Sequence, residues 1–478
     1  MQKVRSYFYS TPLTLLVNVC RMVVGLTFIF SGFVKAIDPL GTQYKLIDYL
    51  DAMTLGGILP DWMLLIVSVL LSGLEFCIGV FMTFAIARRV TSRVALAFMI
   101  AMTALTVWIA LADPVEDCGC FGDAVTLSNW QTLYKNIVLL ACTVAIAMWP
   151  LRISRWLTDN NQWIVVHFTM LFTLAVSVWC LYYLPLFDFR PYRIGTNVVR
   201  DMQIPDDAEQ PEFETTFILE KDGVQREFSM DDYPDSTWTF IDSKSRMTKR
   251  GFVPPIHDLS ITATTDTEEY AAGDDITDMV LAHPGYTFLI VAPFLEKADD
   301  SNFGIIDGLY EYALDNGYAF YCLTASGKKG IEHWRDITGA EYPFCITDGT
   351  TLKTIIRSNP GVVLMKDSVI VGKWSHNDLP SIEQLNGPIE KASWAKTESD
   401  SALWRIARVL LAFFVPLILL VIADRTWAWT KLVRAAERRV GAKAHAAAEA
   451  AKSTDSDAST ADSDASTADS DASSSAET

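Results

Sequence analysis

The sequence predicts a mixed architecture: an α-helical membrane bundle and an extracytoplasmic α/β domain, with a β-rich segment between them. Three observations predict it. Six apolar runs of about membrane-spanning length punctuate the 478 residues. Basic residues gather between and after these runs so that all fall on one side of a membrane. From Tyr286 onward, short apolar strands alternate with helical stretches. Bulk composition agrees with this division. Half of the residues are hydrophobic and the mean hydropathy is +0.22, as for a membrane protein with a sizeable polar part. A net charge of −18 and a pI near 4.8 argue against nucleic-acid binding.

The first apolar run, Leu13 to Ala36, is too long for a signal-peptide core and lacks a small-residue cleavage site, so it is expected to be retained. Further spans are expected at Trp62–Ala87, Val94–Ala112, Leu133–Trp149, Val165–Pro185 and Leu403–Ala423. Lys3 and Arg5 precede the first. Arg88, Arg89 and Arg93 divide the second from the third, and Arg152 and Arg155 the fourth from the fifth. Arg425, Lys431, Arg434, Arg438, Arg439 and Lys443 follow the sixth. Six spans put every cluster in the cytoplasm, both termini included. The expected location is therefore a bacterial inner membrane, crossed several times, with the large segment 186–401 periplasmic.

The expected divisions are 1–150, a four-span bundle; 151–185, the fifth span; 186–285, β-rich; 286–400, α/β; 401–424, the sixth span; and 425–478, a cytoplasmic tail. The tail starts as an alanine-rich helix. It then passes into a seven-residue repeat beginning Asp455-Ser456-Asp457-Ala458-Ser459-Thr460-Ala461, which has no large apolar residue and is expected to be disordered.

Asp117-Cys118-Gly119-Cys120-Phe121-Gly122-Asp123 lies between the third and fourth spans, on the oxidising side. Two cysteines one residue apart close a small, strained ring when bridged, and strain suits a disulfide to exchange rather than bracing. Glu116, Asp117 and Asp123 would raise the thiol pKa values. Activation is therefore expected from the N-terminus of the helix capped near Ser128, or from Lys135 within it. Two thiolates also make half a zinc site or a linear Cu(I) site, but no histidine lies within 40 residues. Inert thiols that merely shape the loop are the remaining alternative.

Two charges interrupt the spans. Lys35 lies near the outer end of the first, where its ammonium can snorkel to the interface. Glu75, about halfway through the second, must be protonated, paired or facing a polar cavity. Cys20, Cys77, Cys142 and Cys180 fall in apolar runs and read as small buried hydrophobes.

In the polar segment, Thr216–Leu219 and Gln225–Ser229 flank Asp222-Gly223, a hairpin signal, with further strands expected at Thr237–Ile241 and Gly251–Pro255. The α/β part reads as strand at Thr287–Val291, helix at 301–315, strand at Tyr318–Thr324 and helix near Gly330–Ile337. Strand Pro343–Thr347, helix 350–357 and strands Gly361–Lys366 and Val369–Trp374 complete it. Cys322 and Cys345 both fall on expected strands, either bridged as a structural disulfide or as two separate buried thiols.

The stretch Arg357-Ser358-Asn359-Pro360-Gly361, a helix end entering a strand through proline, resembles the thioredoxin-like fold, whose proline here is usually cis. The chain departs from the redox-active members at Pro293-Phe294-Leu295-Glu296, where a Cys-x-x-Cys would stand. The N-terminal part resembles the MauE-type branch of the DoxX-like superfamily. The carrying residues are Asp117-Cys118-Gly119-Cys120-Phe121-Gly122, the stretch Phe30-Ser31-Gly32-Phe33-Val34-Lys35-Ala36-Ile37-Asp38-Pro39, and Glu75. This resemblance implies a four-helix membrane core, redox-associated and related in design to quinone-linked disulfide-forming proteins. It also implies a role in periplasmic thiol oxidation or partner maturation.

The resulting expectation is a thiol–disulfide redox protein cycling Cys118 and Cys120 against a periplasmic protein thiol or disulfide. A membrane quinone is the candidate carrier, with no covalently bound cofactor and no metal. Lys35, Glu75 and Lys135 are candidate supporting residues, and the α/β domain would dock the partner over the loop. The alternatives are a non-enzymatic anchor or assembly factor, and an accessory subunit of a DoxX-type quinone-linked complex.

Overall fold

The computed structural model describes residues 11–115, 118–205, 208, 212–221, 224–229, 239–249, 251–392, 394–395 and 402–471, with backbone alone at 11, 212–221, 224–229, 239–249, 402–403 and 449–471. The helices of the first part are α1 (Thr11–Ile37), α2 (Pro39–Ala52), α3 (Asp61–Phe84), α4 (Arg88–Ala112), α5 (Asn129–Met148) and α6 (Gln162–Tyr182). All but α2, together with the C-terminal helix, are long and apolar enough to cross a membrane, six in total among the described residues.

Helices α1 and α3 approach most closely, because small residues let their backbones meet. A Cβ on Gly32 would overlap the Phe76 backbone, and one on Gly79 would lie 2.5 Å from the backbone nitrogen of Ile29. Around that seam Val17, Val24 and Phe28 pack with Ile78, Met82, Met99, Leu139 and Ile146, drawing α4 and α5 into the bundle. Helix α6 and the C-terminal helix join through aromatic rings. The Phe172 and Phe413 centroids are 4.6 Å apart, and Phe76 and Phe413 are 5.1 Å apart.

Hydropathy gave no warning of α2. Pro39 starts it with a φ already suited to a first turn, and Asp38 caps it by accepting from the Gly41 N–H at 2.9 Å. Helix α2 lies against the outer part of α3. Ser68 Oγ donates to the Pro39 carbonyl at 2.6 Å, and Gln43 to the Asp61 carbonyl at 2.8 Å. Helix α3 thus overshoots the end of α1 by about two turns. Glu75, central in α3 by sequence, lies opposite Lys35, near the end of α1.

The connecting segment has a short helix, α7 (Val198–Met202), then β1 (Glu212–Lys221), β2 (Val224–Ser229) and β3 (Thr239–Lys249), an antiparallel sheet in the order β2-β1-β3. The expected turn at Asp222-Gly223 lies outside the described residues. Gly251–Pro255 forms no strand. Pro254 and Pro255 lack the N–H that a ladder needs.

The α/β domain contains β4 (Thr262–Ala263), α8 (Thr277–Leu281), β5 (Tyr286–Ala292), α9 (Phe303–Asn316), β6 (Ala319–Thr324), α10 (Lys328–Thr338) and β7 (Phe344–Ile346). It closes with α11 (Gly349–Ile355), β8 (Gly361–Lys366) and β9 (Val369–Ser375). Its open sheet has the order β4-β7-β6-β5-β8-β9, parallel across β7, β6 and β5 and antiparallel at β5–β8 and β8–β9. Strand β5 is buried along its whole length, as a central strand covered on both faces must be. The Asn359–Pro360 bond is cis. Asp367 and Ser368, both at positive φ, make the tight turn between β8 and β9.

A Cys322–Cys345 disulfide does not form. Cys322 is in register with Phe344, one residue short of Cys345, so strand alternation sends the two thiols to opposite faces. Cys322 packs with Phe288, Trp334 and Tyr342 on one side, and Cys345 with Ile261, Leu323 and Leu352 on the other. Both thiols are free.

The last helix, α12 (Ala402–Asp471), holds the sixth span and then runs on through the acidic repeat, where the sequence reading expects no regular structure. Recurring alanine, the residue with the highest helix propensity, suits the repeat to continuing a helix already nucleated by the span.

Candidate functional site: a buried cysteine pair

Each end of the cysteine loop is pinned by a side chain. Ser128 forms a capping box with Gln131 and starts α5. The neighbouring Asn129 donates to Asp113 Oδ1 at 2.7 Å and to the Val115 carbonyl at 2.8 Å, tying α5 to the end of α4. Between these anchors the chain turns sharply, with Gly119 at φ +59° and Gly122 at φ +52°, and the Gly122 N–H donates to the Gly119 carbonyl at 3.1 Å. Glu116 and Asp117 lie outside the described residues.

The turn brings the sulfurs of Cys118 and Cys120 to 2.9 Å as two free thiols. Both are covered, at 7% and 8% exposure, and pack with Ile109, Leu105, Trp108 and Tyr49. The Tyr49 hydroxyl donates to the Cys118 carbonyl at 2.5 Å, and Ser31 Oγ to the Cys120 carbonyl at 2.6 Å. Helices α2 and α1 therefore hold the two cysteine backbones separately.

Lys35 and Glu75 form a buried ion pair, Nζ to Oε2 2.6 Å, and the same ammonium donates to Ser31 Oγ at 3.2 Å. Its partner is a carboxylate on the neighbouring helix, so the ammonium does not reach for the interface as the sequence alone allows. Lys135, on α5, holds its ammonium 4.2 Å from the centroid of the Phe121 ring. Cys120, Lys35, Glu75, Lys135 and Asn136 all line one cavity of about 20 Å³.

These surroundings split the pair. A hydrogen bond from the Cys118 thiol, aided against burial by Lys135 and Lys35, lowers the Cys120 pKa below the ordinary thiol value. The same hydrogen bond, with burial and the charge on Cys120, raises that of Cys118. In the α/β domain burial alone pushes Cys345 up to about 12.

The α/β domain sits over the loop. Arg357, just before the cis-proline segment, binds Asp38 through Nε at 3.0 Å and Nη2 at 2.9 Å, and reaches Asp123 of the cysteine loop at 3.5 Å. Its planar fork suits two carboxylates at once. Tyr44 lies under both Arg357, at 5.4 Å, and Lys353, at 4.8 Å. Lys297, beside Pro293-Phe294-Leu295-Glu296, pairs with Asp61 at the start of α3 at 2.8 Å. The edge that would carry a Cys-x-x-Cys thus faces the bundle. A partner docked over the loop would have to share ground that this domain already covers. The junction encloses a cavity of about 240 Å³ lined by Asp38, Lys45, Gly119, Asp123, Arg190 and Arg357, among others.

The space next to Cys120 is about 20 Å³, whereas the junction cavity, which reaches Gly119 and Lys35, exceeds the roughly 150 Å³ of cavities that admit benzene. The larger apolar groove, about 590 Å³ between α3 and α6, includes neither cysteine. Among the described residues no cluster of three or more His, Cys, Asp or Glu is placed to hold a metal.

Fold and site together define a class: a multi-span helical protein with a dithiol at one end of its bundle, capped by an α/β domain. Residues 13–150, from α1 to the end of α5, match the family model for methylamine utilisation protein MauE. Residues 213–250 match a model described as a domain of unknown function (DUF8463). No curated protein matches the chain. One similar solved structure is a Bacteroides thetaiotaomicron chain described as a candidate protein disulfide isomerase. It is 17% identical, covers 25% of this chain and 76% of its own, and has a TM-score of 0.21.

Proposed function

We propose that this is an integral membrane thiol–disulfide protein whose Cys118/Cys120 pair exchanges with a thiol or disulfide of an extracytoplasmic partner protein. The observation that carries it is the pair of free sulfurs 2.9 Å apart, at the bundle end facing the α/β domain. The basic clusters gather at the other end. Arg88 Nη1 donates to the Ile153 carbonyl at 2.6 Å and Arg425 Nε to the Trp156 carbonyl at 2.9 Å. With positive charge inside, the dithiol faces the periplasm.

In the reductive direction, one sulfur attacks the partner disulfide as a thiolate. The partner's S–S bond breaks, a mixed disulfide forms and a partner thiolate leaves, later taking a proton. The second cysteine loses its proton and attacks the first sulfur, which closes the Cys118–Cys120 bond and releases the other partner thiolate. Two electrons pass to the partner, and the reverse sequence oxidises it. Because both sulfurs are covered, the loop must lift from Arg357 before a partner can enter.

Single replacements Cys118→Ser and Cys120→Ser, followed by non-reducing capture, test this. One of them is expected to accumulate a mixed disulfide that the double variant lacks. If thiol trapping finds the pair in one oxidation state under every growth condition, the exchange reading is wrong. Burial of both sulfurs also favours a second reading, a membrane anchor whose loop cysteines are only structural. Full retention of phenotype in the double serine variant would select it.

A further inference from the structure

The charges beside Cys120 do not balance by themselves. Lys35 and Lys135 bring two positive charges to the cavity and Glu75 brings one negative charge, leaving the partly buried Lys135 without a carboxylate partner among the described residues that line it. Uncompensated buried charge is costly, so a fourth group of negative charge is favoured there. Cys120 lines this cavity and Cys118 does not. Cys118 is within hydrogen-bonding distance on the far side, at 2.9 Å, where it can supply a proton to its neighbour.

We propose that Lys35 and Lys135 are positioning residues that hold Cys120 as the thiolate, making Cys120 the attacking sulfur and Cys118 the resolving one. The inference rests on the exchange reading for its consequence but not for its test, which reads ionisation alone. Each lysine is fixed by a different element. Glu75 on α3 and Ser31 on α1 hold Lys35, and the Phe121 ring holds Lys135. Among the described residues the other groups around the pair include Tyr49 and, against Gly119, Lys45 from α2, apolar Leu105, Trp108 and Ile109 from α4, and Asn136 from α5. The lowered pKa of Cys120 agrees with this placement.

Closure of the disulfide removes the thiolate and leaves the two ammonium groups facing one carboxylate. The lysines therefore favour the dithiol over the disulfide: resolution by Cys118 after attack on a partner disulfide leaves the pair oxidised, and that strained disulfide readily takes two electrons back from a partner dithiol, with Cys120 leaving as the stabilised thiolate. Cys118 carries the proton that must depart as it attacks Cys120.

The test is the pH dependence of Cys120 alkylation in the full chain in detergent, followed on the Cys120 peptide by mass spectrometry. In the unaltered protein the rate should reach half its maximum below the ordinary thiol value of about 8.5. In Lys135→Met, a half-exposed position that spares the buried ion pair, the midpoint should rise by about one unit. That equals about tenfold less thiolate well below the midpoint. Lys135→Arg should restore it. Lys35→Met should shift it in the same direction, and the two changes together should carry it toward the ordinary thiol value of about 8.5. A merely structural lysine would change the maximal rate through exposure and leave the midpoint in place. Midpoints unchanged in both single variants overturn the proposal, as does faster alkylation of Cys118 than Cys120 at pH 7. A protein whose pair never cycles in cells, yet shows these shifts, would sink the exchange reading and leave this one standing.

Discussion

The chain carries cysteines in two settings, and their difference separates reactivity from fold. In the α/β domain Cys322 and Cys345 lie on opposite faces of the sheet, and burial raises both. In the bundle two equally buried sulfurs meet at 2.9 Å among lysines, and one is lowered. Burial alone suppresses a thiolate, whereas burial beside a proton donor and uncompensated cations favours it. The α/β domain, whose own two thiols lie apart, covers those of the bundle through Arg357.

The largest test of this contrast is replacement of the cysteines themselves. Cys120→Ser should abolish exchange entirely, while Cys322→Ala and Cys345→Ala should leave it unchanged, as measured by capture of mixed disulfides. An equal loss from the α/β substitutions would erase the distinction.

The buried ion pair comes next. Lys35→Met strands Glu75 and should cost about 3–5 kcal/mol in detergent unfolding, much of it recovered by adding Glu75→Leu. A single variant as stable as the double would mean that water reaches the carboxylate.

Arg357→Met should weaken the junction by about 2–3 kcal/mol and speed maleimide labelling of Cys118 and Cys120 without affecting Cys322. The same junction should loosen in acid. Although burial opposes it, the Arg357 guanidinium holds the Asp38 carboxyl below its usual value. A carboxyl lowered in the folded state contributes stability that is complete above its unfolded pKa and is lost as pH falls through the folded one. Amide hydrogen exchange in the cysteine loop, corrected for its intrinsic pH dependence, should thus lose protection below about pH 4, where thiol labelling itself slows, and Asp38→Asn should remove most of that dependence.

The smallest effect is expected at Gly119. Its φ of +59° and the Lys45 side chain 3.2 Å from the position of an added Cβ predict about 1 kcal/mol for Gly119→Ala. A modest loss of thermal stability with unchanged alkylation midpoints would show that the turn shapes the loop while the lysines set its chemistry.

Much of the scaffold was legible in the residues alone. Apolar runs marked the spans because the length of a membrane helix is written locally, and β8 fell on Gly361–Lys366, the apolar run entered through Pro360. Helix α2 escaped because its surroundings are half polar and its partner is the projecting part of α3. The acidic repeat misled because low apolar content removes packing but not helix propensity.

The sequence by itself determined the spans, the order of strands and helices, the spacing of the two loop cysteines and the lack of a cysteine pair at 293–296. Only the tertiary structure decided that Lys35 meets Glu75 across 40 positions and Arg357 meets Asp38 across 319. It alone decided that Cys322 and Cys345 turn their backs to each other. Periodicity and hydropathy are sums over neighbouring residues and can be read in one dimension. Ion pairs, strand register and the environment of a thiol depend on which distant surfaces pack together.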